Sequence, residues 1–205
     1  MSEGHKVRVS ELFGDELADL KLSVVAGENH LDNVVTHPRV QKPGLAFAGY
    51  YEYIKPGRVQ IVGESELEYL KTVAVEERRE RLRTIAALPI PVVVITKGLI
   101  PGEEFLHEFR ARQVPVLSSS ALSSVVIKQL SWFLEDHLVP STRLHGVLLD
   151  IYGLGVLLIG SSGVGKSEAA LDLITRGHSL VSDDRVTIKR YPSGELVGFS
   201  EETLK

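Results

Sequence analysis

The residues with the plainest chemical purpose are Gly160-Ser161-Ser162-Gly163-Val164-Gly165-Lys166-Ser167, which satisfy the pattern Gly-x4-Gly-Lys-Ser/Thr at every specified position. Glycines let a backbone curl around a phosphate so that several amides point inward, and a helix starting just after the loop presents its positive end to the same anion. Lys166 is long enough to reach the outer phosphates, and the Ser167 hydroxyl suits Mg2+, a hard cation that prefers oxygen ligands. Two acids, Asp183 and Asp184, follow the short apolar run Ser179-Leu180-Val181-Ser182. An acid at the end of an apolar strand is one way phosphoryl-transfer enzymes present a carboxylate to the metal or the attacking group. Neighbouring strand residues point to opposite sides, so one of the two acids is expected to face the phosphate. His145 stands ahead of the strand pair leading into the loop, although a single histidine serves structural ends as readily as chemical ones. The other six histidines show no metal-ligand spacing, and Arg143 and Lys189 read as surface residues.

The elements that must hold these residues are legible around them. Gly146–Tyr152 and Gly155–Ile159 are β-rich runs separated by Gly153-Leu154, and the second enters the loop. Glu168–Arg176 carries Ala169, Ala170, Leu173 and Ile174 at helical spacing for packing on a sheet, and Gly177 ends the helix in the position that favours a left-handed residue. Upstream, Val59–Val62, Val92–Thr96 and Val114–Leu117 are candidate strands. Ser65 and Glu68 have the spacing of a capping box, and the charged run Glu76–Arg83 suggests a solvated helix face. Gly98–Gly102 is a loop, Glu103–Arg112 a helix, and Ser119–Leu138 a helix with Leu122, Val126, Leu130, Phe133 and Leu134 on one face, stopped by Pro140. Alternating short strands and helices indicate α/β layers.

Composition narrows the class. At 205 residues, 43% hydrophobic and 24% charged, the chain can bury a core and has room for two domains. A net charge of −4 weighs against electrostatically driven nucleic-acid binding. The absence of cysteine removes disulfides and thiolate metal sites, and fits the cytoplasm. Met1–Asp15 lacks the apolar core of a signal peptide, and runs such as Gly146–Gly160 are too short and interrupted to span a bilayer, so no membrane is expected.

The block His145-Gly146-Val147-Leu148-Leu149-Asp150-Ile151-Tyr152-Gly153-Leu154-Gly155-Val156, followed by the phosphate loop, Arg176-Gly177-His178 and Asp183-Asp184-Arg185-Val186, closely resembles the catalytic domain of HPr kinase/phosphorylase. Gly44–Tyr53 followed by Arg58-Val59-Gln60 resembles that family's first domain, so the resemblance spans essentially the whole chain. It implies a small N-terminal α/β domain, residues 1–132, and a P-loop (Walker A) kinase-type α/β domain, residues 133–205, incomplete at its C-terminus. It also implies phosphorylation of a serine on the phosphocarrier protein HPr from ATP or pyrophosphate, with Mg2+, and reversal by inorganic phosphate. By the same resemblance Asp184 takes the serine proton, His145 assists it and the phosphate electrostatically, Lys166 balances phosphate charge and Ser167 helps hold Mg2+. A homohexamer is implied as well. The sequence closes at Glu201–Lys205, before the family's later glycine-rich segment, its further Mg2+-binding glutamate and its catalytic arginine. Two other functions share the loop: a small-molecule P-loop kinase, a theme found in phosphoenolpyruvate carboxykinase, and a non-catalytic nucleotide sensor or assembly module. The His145–Gly155 block favours the HPr family over the former, and phosphoryl transfer would separate it from the latter.

Overall fold

The computed structural model describes residues 6–191 and 193–200. Met1–His5, which head the stretch read as lacking a signal peptide, and Glu201–Lys205, where the sequence closes, lie outside the described residues. Contacts divide the chain into two compact units, Met1–Leu138 and Val139–Lys205. The sequence pattern drew a boundary between residues 132 and 133. By contact the division follows Leu138, because Phe133 and Leu134 sit in the first unit's core.

The first unit opens with β1 (Val7–Arg8), two 3-10 segments, β2 (Ser23–Ala26) and β3 (Val34–Val35), followed by α1 (Gly44–Phe47) and β4 (Gln60–Val62). Then come α2 (Glu64–Thr72), α3 (Val75–Ala86), β5 (Val93–Ile95), α4 (Glu103–Ala111), β6 (Val116–Ser118) and α5 (Ser123–Leu138). β4, β5 and β6 pair in parallel, and β2 joins antiparallel at the edge, giving the order β2-β6-β5-β4. Continuous apolar runs suit such strands because both faces are covered. Val93 and Ile95 belong to one core with Phe47, Phe105 and Phe109, whereas Val92 and Val94 belong to the other with Val126, Leu130, Phe133 and Leu134 of α5. On the first face the Phe105 and Phe109 rings stack at 4.6 Å and Phe47 meets Phe105 edge-on at 6.3 Å.

Two local expectations change. Leu122 precedes α5 and is exposed, since the chain enters the helix at Ser123. At α2 the capping carboxylate is Glu66 and not Glu68, because the helix begins one residue before Ser65. Glu66 accepts hydrogen bonds from the Gly63 N–H at 3.0 Å and the Ser65 hydroxyl at 3.1 Å, and pairs with Lys42 at 3.1 Å. The charged run forms α3, where most of the face is solvated, but Arg81 reaches inward to donate to the Phe47 carbonyl at 2.7 Å.

The second unit is a four-stranded antiparallel sheet with one helix. β7 (Ser141–Ile151) turns through Tyr152-Gly153 into β8 (Leu154–Leu158), the loop leads into α6 (Lys166–Thr175), and β9 (Ser179–Arg190) and β10 (Leu196–Ser200) follow. The order is β10-β9-β7-β8. Both turn residues have positive φ, +55° at Tyr152 and +84° at Gly153, as a tight two-residue hairpin requires. The Gly153 N–H donates to the Asp150 carboxylate at 2.7 Å. Val147 and Leu149 of β7 pack against Ala170 of α6, with Ile151, Leu158 and Leu173 at the margin. Ala169 and Ile174, expected to share that face, are exposed. Lys189, read as a surface residue, is buried, with its ammonium 5.2 Å from the centre of the Phe199 ring. Among the described residues no helix is long and apolar enough to cross a membrane.

Burial alone would push the Glu66 carboxyl upward, but the Gly63 N–H and the Lys42 ammonium outweigh it and hold the group below the usual glutamate range. A depressed carboxyl stabilises the fold above its unfolded-state value, and that contribution is lost as pH falls through the folded-state value. Glu66→Gln is therefore expected to destabilise the first unit by about 1–2 kcal/mol at neutral pH. The gap from the wild type should close as pH drops below the folded carboxyl's titration, which denaturant melts across pH would measure.

Candidate active site

The loop Gly160–Ser167 runs from the end of β8 into the first turn of α6. Gly163 and Gly165 take φ of +80° and +94°, a region costly to residues with a Cβ, so the curl depends on glycine at both. Lys166 begins α6 and folds back over the loop, its ammonium donating to the carbonyls of Gly160 at 2.8 Å and Ser161 at 2.9 Å. At the helix's far end Gly177, with φ +96°, donates to the Ile174 carbonyl at 2.9 Å and stops it as the sequence suggested.

β7 lies between β8 and β9, and its register decides what faces the loop. His145 is opposite Arg185, Gly146 opposite Asp184, and Val147 opposite both Asp183 and Leu158. Gly146 also permits a close approach: a Cβ there would stand 2.6 Å from the Leu158 carbonyl oxygen. Without that side chain, the strand delivering the phosphate loop and the strand carrying the acids can flank β7 at one level.

The acids do not sit where the sequence reading placed them. They lie inside a twelve-residue strand and not at the end of a short one. Asp184 has φ +83°, and the ladder slips between Leu148 and Leu149. A left-handed residue breaks the two-residue alternation of a strand, so both Asp183 and Asp184 line the cavity, where one was expected. The Ser182 hydroxyl, beneath the irregularity, donates to the Arg185 carbonyl at 2.8 Å.

These segments enclose an open cavity of about 500 Å3 bounded by His145, Gly146, Gly160, Ser162, Gly163, Gly165, Lys166, Ser167, Asp183 and Asp184, with Val147 and Glu168 completing the wall. Ser161 and Val164, the other loop residues read as phosphate-binding, do not line it. Both side chains are exposed, and that of Val164 turns back across the loop toward Gly160. His145 Nδ1 is 3.3 Å from Asp184 Oδ1. Sequence reasoning did not single out Gly146 or Glu168. The former is legible only from a backbone approach, whereas Glu168 adjoins Ser167 in the first turn of α6 and could have been named from position.

The arrangement sets an ammonium, a hydroxyl, loop amides and two carboxylates around one space, next to a histidine that contacts one of the acids. Such a set can hold a polyphosphate and accept a proton from a neighbouring hydroxyl. Among the described residues no group of three or more His, Cys, Asp or Glu side chains could bind a metal by itself. Ser167, Asp183 and Asp184 are nevertheless hard oxygen donors on one cavity, so they fit Mg2+ whose remaining ligands come from phosphate and water.

Residues 7–134 match the family model described as HPr Serine kinase N terminus, and residues 136–205 match HPr Serine kinase C-terminal domain. Curated relatives called HPr kinase/phosphorylase include that of Geobacter sulfurreducens, 39% identical over 197 residues, which cover 96% of this chain and 62% of the relative. That of an Exiguobacterium species is 42% identical over 185 residues, 90% of this chain and 60% of the relative. That of Clostridium botulinum strain Alaska E43 is 41% identical over 194 residues, 95% and 62%. The chain thus spans about three fifths of the length of these relatives. A solved structure of the CBS and DRTGG domains of a Clostridium perfringens pyrophosphatase superposes at a TM-score of only 0.40, with 15% identity over 57% of this chain and 44% of that one. Two family models matched in chain order, one to each part of the sequence, show that this chain belongs to the HPr serine kinase family.

Proposed function

We propose that the protein to which this chain belongs phosphorylates a serine of HPr, with ATP or pyrophosphate as donor, and removes the phosphate by phosphorolysis. The observation that carries this reading is the convergence of His145, Lys166, Ser167 and Asp184 on one cavity from β7, α6 and β9. The loop amides and Lys166 bind the donor's phosphates, which the loop recognises without reading a base. Ser167, Asp183 and Asp184 would hold Mg2+, which would supply charge neutralisation for the phosphates. In the forward direction the serine hydroxyl gives its proton to Asp184 as its oxygen bonds to the terminal phosphorus. The bond from that phosphorus to the bridging oxygen breaks, releasing ADP or phosphate. In reverse, an oxygen of inorganic phosphate attacks the phosphoserine phosphorus, pyrophosphate forms, and Asp184 returns the proton to the departing serine oxygen. His145, 3.3 Å from the Asp184 carboxylate, fixes its orientation and lends electrostatic support. The family's assembly as a homohexamer and a cytoplasmic setting belong to the same proposal. Residues 1–132 and 133–205 are its two proposed domains.

Three variants of the full-length protein test the assignments. Asp184→Asn is expected to lower both transfer to HPr and phosphorolysis by about 10^2–10^4-fold while changing nucleotide binding far less, since the loop amides and Lys166 are retained. Equal activity in variant and wild type would remove Asp184 from the chemistry. Lys166→Ala should instead weaken nucleotide binding itself, read by equilibrium titration with ATP and Mg2+. Gly146→Ala, by driving a methyl group against the Leu158 carbonyl, should lower the unit's stability by about 1–3 kcal/mol and depress transfer, because the phosphate loop and the acids would be pushed apart.

A further inference from the structure

The first unit holds a basic cluster that the chemistry above does not use. Thr36 N–H donates to the Gly57 carbonyl at 3.1 Å and Gln41 N–H to the Val59 carbonyl at 2.9 Å, clamping the segment after β3 against the segment before β4. Between these two bonds stand His37, Arg39 and Arg58. Arg58 Nη2 lies 3.1 Å from His37 Nε2, and the Arg39 backbone N–H donates to His37 Nδ1 at 3.0 Å. A neutral imidazole has one acceptor nitrogen, so two donors meeting both ring nitrogens leave one contact unmatched. Arg58 Nε is shielded from solvent and has no hydrogen-bond partner. Among the described residues neither guanidinium has a carboxylate partner, whereas the four arginines of α3, Arg78, Arg79, Arg81 and Arg83, all do. Two arginines and a histidine held together without a counter-charge have the donor geometry that recognises an oxyanion, the guanidinium fork in particular.

We propose that His37, Arg39 and Arg58 form a second anion site, separate from the phosphate loop, which binds a small oxyanion, either a carboxylate or a phosphate. The anion takes up the unpaired guanidinium donors and accepts from the Nε2–H of a neutral ring whose Nδ1 keeps the Arg39 N–H, which relieves the donor-to-donor contact with Arg58. Burial, then the charges of Arg58 and Arg39, hold the His37 ring below the usual histidine range, and those two arginines are the charged groups bearing on it. A ring held neutral keeps Nδ1 as the acceptor of the Arg39 N–H and leaves the Nε2–H to be donated to the anion.

The test uses the full-length protein, with phenylglyoxal modification of Arg39 and Arg58 and carbethoxylation of His37 quantified peptide by peptide. Increasing inorganic phosphate or acetate is compared with chloride at matched ionic strength. Saturable protection of all three residues by phosphate or acetate, with Arg79 on α3 unprotected, is the expected result, and the protecting anion identifies the oxyanion class. Arg58→Gln should shift the protection curve at His37 by about tenfold or more, equivalent to about 1.4 kcal/mol. Arg39→Gln, at an exposed position, gives the same readout without touching a half-buried side chain. Protection no greater than in chloride, or curves unmoved in both variants, would overturn the proposal. Residue-by-residue readout keeps phosphate bound at Gly160–Ser167 from being mistaken for this site.

Discussion

What the second unit can do depends on the register in which β7 lies against β9. The ladder runs from Ser141 opposite Lys189 to Asp150 opposite Ser179, and it sets Asp184 opposite Gly146, within reach of the neighbouring His145. A one-residue slip would turn every side chain of a strand to the other face, carrying His145 and Val147, which share one face of β7, off it together. The register is held by the burial of Val147 and Leu149 against Ala170, so the small apolar core under α6 and the polar site above it are set by the same pairing. On its other side β7 carries the strand that ends in the phosphate loop, and Gly146 lets the two come close. One strand therefore brings the loop Gly160–Ser167 and the acids Asp183 and Asp184 to the same level from opposite flanks.

Much of this was readable in the sequence because it is local. Glycine and lysine spacing announces the loop, the apolar run before it announces β8, and Gly177 announces the end of α6. What was not readable depends on residues far apart in the chain. Ser179–Ser182 looks like a complete short strand, but pairing with β7 extends it through Arg190 and leaves the acids in mid-strand. The positive φ of Asp184 has no local cause such as a glycine, so the simple alternation rule predicted one inward acid where two line the cavity. Lys189 looked like a surface residue until β10 supplied the Phe199 ring it packs over. The Gly146 role is invisible for a similar reason, since the carbonyl that excludes a Cβ belongs to another strand.

In the first unit the same contrast separates core from margin. Strands β4 and β5 alternate between two hydrophobic cores, so what the residue types display is an unbroken apolar run, the sign of a strand covered on both faces. The polar ties at the edges are not. Glu66 caps α2 because the helix starts at Glu64 with Gly63 as its N-cap, two residues earlier than the Ser-x-x-Glu pattern suggests. Asn33 donates to the carbonyls of Pro91 and Gln113, fastening the chain after β2 to segments about sixty and eighty residues away. The pairing of Arg58 with His37 is of this kind too, joining segments twenty-one residues apart that only the finished sheet makes neighbours.

The tight turn at Tyr152-Gly153 also bears on the order in which the second unit assembles. A two-residue turn whose backbone is already bonded to the Asp150 carboxylate closes a very short loop, and hairpins of this kind zip in microseconds. His145 and Asp184 are thirty-nine residues apart, so joining β9 to the sheet requires a much longer closure. The strand that delivers the phosphate loop can thus be in place while the strand that delivers the acids is still being recruited. A chain emerging in sequence would possess the loop Gly160–Ser167 before Asp183 and Asp184 reach the sheet, and α6, lying between them in the sequence, would form on a hairpin already waiting for it.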